Sequence, residues 1–189
     1  MCAADVFISE DIKDSFKNYL AEPLHEGDIR YMYLDNKGLI TIGLGMNIDK
    51  PDERDRLLLP KDFGEGTTRK QILDNWKDVR NLWNNWKGGK ARTEANLKLA
   101  CAGLTKLRLT DSGLQRIYNL ELKWRVNTLK KSIWFKDFDL FPADAKIIIL
   151  DLSWWLLNAL ASGRANFGLL CKACKGFDFI TAAKQCGLY

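Results

Sequence analysis

The sequence predicts an α+β protein, mostly α, with a small β-hairpin lobe followed by a larger helical lobe. Three observations carry that expectation. A helical pattern at the start gives way to two β-prone runs, "YMYL" and "LITIGL", split by Asp35-Asn36-Lys37-Gly38. From Thr67 onward, apolar residues recur at helical spacing almost to the end. The chain has 189 residues, 47% hydrophobic and 28% charged, enough for one core or for two lobes sharing one. The organisation that follows is residues 1–66 as an N-terminal helix and hairpin lobe, and residues 67–189 as a helical lobe, together one compact unit.

Each element has a local reason. Ser9 can cap a helix through "EDIKDSFKNYLAE", with Ile12, Phe16, Tyr19 and Leu20 on one face. Pro23 unsettles its end, and Glu26 lies just beyond. Gly38 closing an Asp/Asn-initiated turn reads as a hairpin. Residues 47–66, rich in Asp, Pro and Gly, read as loop and short helical turns. Thr68-x-x-Gln71 is a capping-box pattern opening a helix that "KGGKA" breaks. Trp76, Trp83 and Trp86 form one stripe on that helix, which reads as core. Further helices are expected over 92–102, 111–130, 143–157, 166–175 and 178–186. Pro142 suits a first turn and Gly187 a terminus.

Composition narrows the function only slightly. With 29 basic and 24 acidic residues the formal charge is +5, which suits an anionic polymer and selects none. No base-reading motif supports a nucleic-acid partner. The N-terminus "MCAADVFISEDIKDSF" lacks a secretion signal, so synthesis in the cytoplasm is expected. "IIILDLSWWLLNALA" (147–161) carries Asp151 and is too short for a membrane span, so it reads as a buried helix. The five cysteines, at 2, 101, 171, 174 and 186, lack framework spacing. Cys171 and Cys174 share a helix face and read as buried hydrophobes, with no metal site and no cofactor implied.

The chemistry-bearing stretch is "HEGDIRYMYLDNKGLITIGLG" (25–45). A carboxyl group at a helix end and another across a β-turn can face one another, and glycoside hydrolysis uses such a pair. One acid protonates the leaving oxygen while the other carboxylate activates water or attacks the sugar. Their surroundings must differ so that only one stays protonated near neutrality. Leu24 and Ile29 flank Glu26, whereas Asp35 shares a polar turn with Asn36 and Lys37. Thr41, on the returning strand, offers a hydroxyl that could hold a water near Asp35.

The full spacing is more specific. Glu26-Gly27, then Tyr33-x-Asp35-x-x-Gly38-x-x-Thr41-Ile42-Gly43-x-Gly45, resembles the catalytic signature of the phage-type lysozymes, glycoside hydrolase family twenty-four, and their bacterial-toxin relatives. "MNIDKPDERDRLLLP", "FPADAKIIILDLSWWLLNALA" and "CKGFDFITAAKQC" resemble later segments of the toxin-type relatives more faintly. The resemblance implies a lysozyme-like two-lobe fold with an active-site cleft between the lobes. It implies Glu26 as general acid, Asp35 helping to activate water, and Thr41 positioning that water. Tyr33, Gly45 and Trp155 are the expected substrate-binding residues.

Three positions depart from that pattern. Met46 stands where many relatives have histidine. Asn158 stands where their late helix ends at glycine, and Asn is the next-best residue for a left-handed cap. Relatives reach the catalytic glutamate with an arginine beyond the Ala-Ala helix; here Arg30, Arg164 or no arginine fills that role. The implied activity is a muramidase that cuts the β-1,4 bond between N-acetylmuramic acid and N-acetylglucosamine in peptidoglycan, with inversion. Such an enzyme would be a monomer serving as an antibacterial effector or phage endolysin. It would be delivered to the periplasm or cell wall of a target bacterium and, as an effector, met there by a cognate immunity protein. A catalytically weak lysozyme-like module that binds glycan is the alternative.

Overall fold

The computed structural model describes residues 8–23, 25–86, 93–163 and 167–186. Leu24, Arg164 and Gly187, each singled out in the sequence, lie outside them. The protein is mostly helical with one small antiparallel sheet, as the sequence predicts. The chain runs α1 (Glu10–Ala21), β1 (Ile29–Leu34), β2 (Ile40–Gly43), β3 (Met46–Asn47), α2 (Pro51–Leu57) and a 3-10 turn (Pro60–Phe63). It continues through α3 (Arg69–Asn84), α4 (Glu94–Leu104), α5 (Asp111–Lys130), a second 3-10 turn (Phe138–Leu140), α6 (Ala143–Ala161), α7 (Gly168–Lys175) and α8 (Phe179–Gln185). Contacts group the chain into two units, Lys17–Glu121 and Met1–Phe16 with Leu122–Tyr189. The boundary therefore falls within α1 and at α5 rather than following Gly66: α3, α4 and the first half of α5 belong with the hairpin.

In the first unit the strands lie in the order β1-β2-β3, with Tyr33 opposite Thr41 and Thr41 opposite Asn47. The two-residue β3 is too short to leave a periodic signal. The pairing shifts register between Ile29 and Tyr33, and the Arg30 carbonyl in this bulge accepts instead from the Leu109 N–H at 2.7 Å. Helix α3 begins with the expected capping box: Thr68 Oγ1 accepts from the Gln71 N–H at 3.3 Å, and Gln71 Oε1 accepts from the Thr68 N–H at 2.7 Å. The tryptophan stripe on α3 departs from the sequence reading. Only Ile72 and Val79 of that helix are buried, and Trp76, Trp83 and Trp86 are half-buried. Trp76 donates its indole N–H to the Ile48 carbonyl at 2.8 Å, and the Arg54 and Arg80 guanidiniums lie 5.1 and 5.7 Å from its ring centroid. Trp83 presses on Gly38, where an added Cβ would fall 2.3 Å from the ring. Trp76 and Trp83 thus brace the hairpin instead of filling a core, and Trp86 lies past the end of α3.

In the second unit α6 buries one stripe, Ile149, Leu150, Ser153, Trp154, Leu157 and Leu160, and leaves Trp155 and Leu156 exposed. The expectation of a buried helix thus holds for one face only. Leu156 breaks the helical geometry, with φ −133° and ψ 26°, yet the helix runs on through Asn158 to Ala161. The left-handed residue is Gly163, φ +62°, whose Cα meets the Trp134 indole; Asn158 is not the cap. No helix among the described residues is long and apolar enough to cross a membrane. Cys171 and Cys174 are buried on α7, and burial pushes their thiols up to about 11 and about 12.

Candidate active site

Glu26 is placed by the end of α1. The Glu26 and Gly27 N–H groups both donate to the Leu20 carbonyl, at 3.2 and 3.1 Å, wrapping the chain around the helix terminus. Gly27, at φ +73°, then turns the backbone into β1. The Glu26 side chain is buried, only 8% exposed, and lies against the β2–β3 turn. Gly45 in that turn has φ +77°, and an added Cβ would fall 2.2 Å from Glu26 Cδ and Oε2. Glycine is required there on two counts: a left-handed backbone, and a carboxyl group packed on its Cα.

Asp35 opens the β1–β2 turn. Its Oδ1 accepts from the Lys37 and Leu39 N–H groups, each at 2.8 Å, while its backbone exchanges bonds with Leu39 and Gly38. That oxygen therefore shapes the turn, as turn aspartates commonly do. Its Oδ2 carries no hydrogen bond from the described residues and remains an acceptor. The turn is steadied by Arg80, which donates to the Gly38 carbonyl at 3.1 Å and pairs with Asp49. Thr41 sits on the central strand, 5% exposed, its Oγ1–H directed at the Leu39 carbonyl at 3.3 Å.

Tyr33 links these groups. Residues directly opposite in an antiparallel pair share a face, so Tyr33 projects on the side of Thr41, two positions before Asp35. It is 2% exposed, and Lys98 of α4 lies 5.0 Å from its ring centroid while pairing with Glu94 at 2.6 Å. Burial raises the Tyr33 phenol well above its ordinary range, with smaller contributions in order from Glu26, Glu94 and Asp35. The phenol therefore lies within electrostatic reach of both candidate catalytic carboxyls. Lys98 and Glu94 carry no sequence motif; only the fold brings α4 to this tyrosine.

Of the sequence-predicted residues, Glu26, Tyr33, Asp35, Thr41 and Gly45 come together within the hairpin unit. Trp155 belongs to the other unit, on the exposed face of α6, and is 65% exposed. Arg30 is committed to Asp28 and Asp111, with its Nη1 2.7 Å from Asp111 Oδ1. Met46, at the place of the relatives' histidine, is fully buried and turns its methyl toward Gly43. Among the described residues no cluster of three His, Cys, Asp or Glu side chains suits a metal ion. Comparison with protein-family models, curated proteins and solved structures finds no match.

Proposed function

We propose that the protein is a muramidase hydrolysing the β-1,4 bond between N-acetylmuramic acid and N-acetylglucosamine. The observation that carries this reading is the placement of Glu26 on Gly45, in the hairpin unit that also holds Asp35 and Thr41. The same unit carries all three residues of the Glu–Asp–Thr spacing, which supports the reading. Glu26 acts as the proton donor to the glycosidic oxygen; a water-excluded carboxyl is the setting such acids use. Asp35 Oδ2 takes a proton from the attacking water, and Thr41 Oγ1 holds that water. A water between carboxylate and sugar implies single displacement with inversion, so the β-linked glycan first yields an α-anomer.

The reading carries with it the two-lobed plan of lysozyme-like folds, a cleft for the glycan, and Trp155 as a surface on which sugar can stack. It also carries delivery to a target bacterium's periplasm or wall, as a monomeric effector or endolysin, and, for an effector, an immunity protein that occludes the site. Proton NMR during early turnover of soluble peptidoglycan fragments tests it: an α-anomeric signal is expected before mutarotation. A β-anomer appearing first, or a glycosyl adduct on Asp35, would make Asp35 a nucleophile and remove the water.

A glycan-binding module without hydrolysis is the second reading. The observation that favours it is Asp35 Oδ1, which is fully used in shaping the turn. Clearance of cell walls separates the two.

A further inference from the structure

Asp35 and Thr41, the two residues proposed to handle the attacking water, are both fastened to Leu39. Asp35 Oδ1 accepts from the Leu39 N–H at 2.8 Å, and the Asp35 N–H donates to the Leu39 carbonyl at 3.0 Å. The Thr41 hydroxyl donates to that same carbonyl at 3.3 Å. The position of the carboxylate relative to the hydroxyl is therefore set by the peptide units on either side of Leu39. A turn between two strands is ordinarily the mobile end of a hairpin, so this frame depends on what holds it.

Helix α3 supplies a clamp on both neighbours of Leu39. Arg80 Nη1 donates to the carbonyl of Gly38, the residue before it, at 3.1 Å, and Arg80 Nη2 pairs with Asp49. Asp49 Oδ1 in turn accepts from the N–H of Ile40, the residue after it, at 3.0 Å. Gly38 closes the circuit by donating its own N–H to the Asp35 carbonyl at 3.0 Å. Trp83, from the next turn of α3, presses on Gly38 as well. Only 25% of the Arg80 side chain and 22% of the Asp49 side chain are exposed. Burial pulls the Arg80 guanidinium below its ordinary range, the sign of a charge taken partly from water. Desolvation offsets much of the attraction in such a pair, which makes it a weak source of folding stability.

On the reading of the site as a glycosidase, we propose that the Arg80–Asp49 pair is a positioning device for the reaction, fixing Leu39 and through it the placement of Asp35 relative to Thr41. Neither residue touches the glycan or the water; both act through the backbone of Gly38 and Ile40. With the pair intact, Asp35 Oδ1 stays committed to the turn and Oδ2 keeps one direction for taking the water's proton. With the pair broken, the bonds of Asp35 still close the turn, but the peptide units around Leu39 can rock. Asp35 and Thr41 then lose their common frame. A misplacement of about 1 Å in reacting groups costs about 10²-fold, so a partial loosening slows the chemical step without weakening binding.

The test uses the full chain and compares wild type, Arg80→Met, Asp49→Ala and the double variant. Two quantities are read: kcat and KM on soluble peptidoglycan fragments, and amide hydrogen exchange at Leu39 and Ile40 by NMR. Each single variant is expected to lower kcat about 10-fold with KM within about 2-fold. Exchange at Leu39 and Ile40 should quicken about 10-fold, while the α3 amides of Ile72 and Val79 keep their wild-type rates. Because both substitutions open one circuit, the double variant should lose much less than the product of the single losses. Independent, multiplying losses would overturn the proposal, as would an unchanged kcat or an unresponsive Leu39 and Ile40. A raised KM at unchanged kcat would place Arg80 on the glycan instead, and equal acceleration at Ile72 and Val79 would make the pair a support of the fold alone; either overturns it. Should Arg80→Met fail to fold by circular dichroism, Arg80→Lys keeps the charge but loses the fork that reaches both acceptors, and the same outcomes decide. Absence of turnover by folded wild type removes the hydrolase reading and this inference together, whereas an active wild type with unaffected variants removes this inference alone.

Discussion

The two units of the chain use buried polar chemistry in opposite ways. In Lys17–Glu121 the buried groups include the Glu26 carboxyl, seated on Gly45, the Thr41 hydroxyl and the Tyr33 ring, while the half-buried Asp35 is threaded into its own turn. In Met1–Phe16 with Leu122–Tyr189 the buried groups are mostly apolar. Phe141 meets Phe138, Phe177 and Phe179 in an aromatic cluster. A cavity of about 240 Å³ nearby is lined by Ile148, Ile149, Leu170, Cys174 and Phe179, among others. The difference teaches where substitutions should act. In the hairpin unit, small changes should alter chemistry as well as stability, and in the helical unit chiefly stability.

The largest expected effect is Glu26→Gln. An amide cannot donate the proton, and general acid catalysis contributes about 10²–10⁴-fold, so activity should fall by that factor while the fold persists. A folded Glu26→Gln protein clearing cell walls at the wild-type rate would remove the acid assignment. Next comes Gly45→Ala. The left-handed backbone costs about 1–3 kcal/mol for a non-glycine residue, and the new methyl displaces the Glu26 carboxyl. Melting temperature and activity should both drop; an active, fully stable variant would mean that the seat on Gly45 is dispensable.

Trp155→Ala probes the helical unit's exposed face. Stability should change by less than about 0.5 kcal/mol, because the side chain is mostly solvated. If sugar stacks there, KM should rise about 2–10-fold with kcat unchanged. An unchanged KM would strike Trp155 from the substrate-binding set.

The smallest effect is expected at Cys171 and Cys174. Alanine at both should leave activity intact and cost modest stability through underpacking. The pair has a pH signature as well. Their folded values, about 11 and about 12, lie above the ordinary thiol value of 9.0. The unfolded chain therefore gives up these protons first as pH rises. Stability is unaffected below about pH 9 and declines from there toward about pH 12. Denaturant melts at pH 8 and pH 11 should show that decline reduced in the double alanine variant. An identical alkaline loss would assign it to other groups, such as Cys101, whose thiol burial also pushes to about 11.

Local signals made most of the helices legible. The Thr68/Gln71 capping box, the Asp35–Gly38 turn and the long apolar periodicity of α5 and α6 act between near neighbours, so the sequence displays them. Other features depend on distant partners. Trp76, Trp83 and Trp86 have the spacing of a core stripe, but a two-period pattern cannot say whether its face meets helices or the back of a hairpin. Asn158 reads as a helix terminus by analogy, yet the chain bends at Leu156 and the helix runs on to Ala161, two residues before Gly163, where Trp134 leaves no room for a side chain. In the candidate site, Glu26, Asp35, Thr41 and Gly45 lie close enough in sequence for spacing to find them. The placement of Lys98 and Glu94 beside Tyr33 follows from the packing of α4 on β1 and has no sequence signature.

The central claim is glycan hydrolysis by this constellation, and release of reducing ends from purified peptidoglycan tests it most directly. Wild type and Glu26→Gln would be compared at equal concentration, with mass spectrometry of the soluble fragments. The account predicts fragments ending in reducing N-acetylmuramic acid from wild type, and a loss of about 10²–10⁴-fold in their rate of release by Glu26→Gln. Folded wild-type protein that sediments with the walls yet releases no reducing ends would contradict it and leave a glycan-binding module in its place.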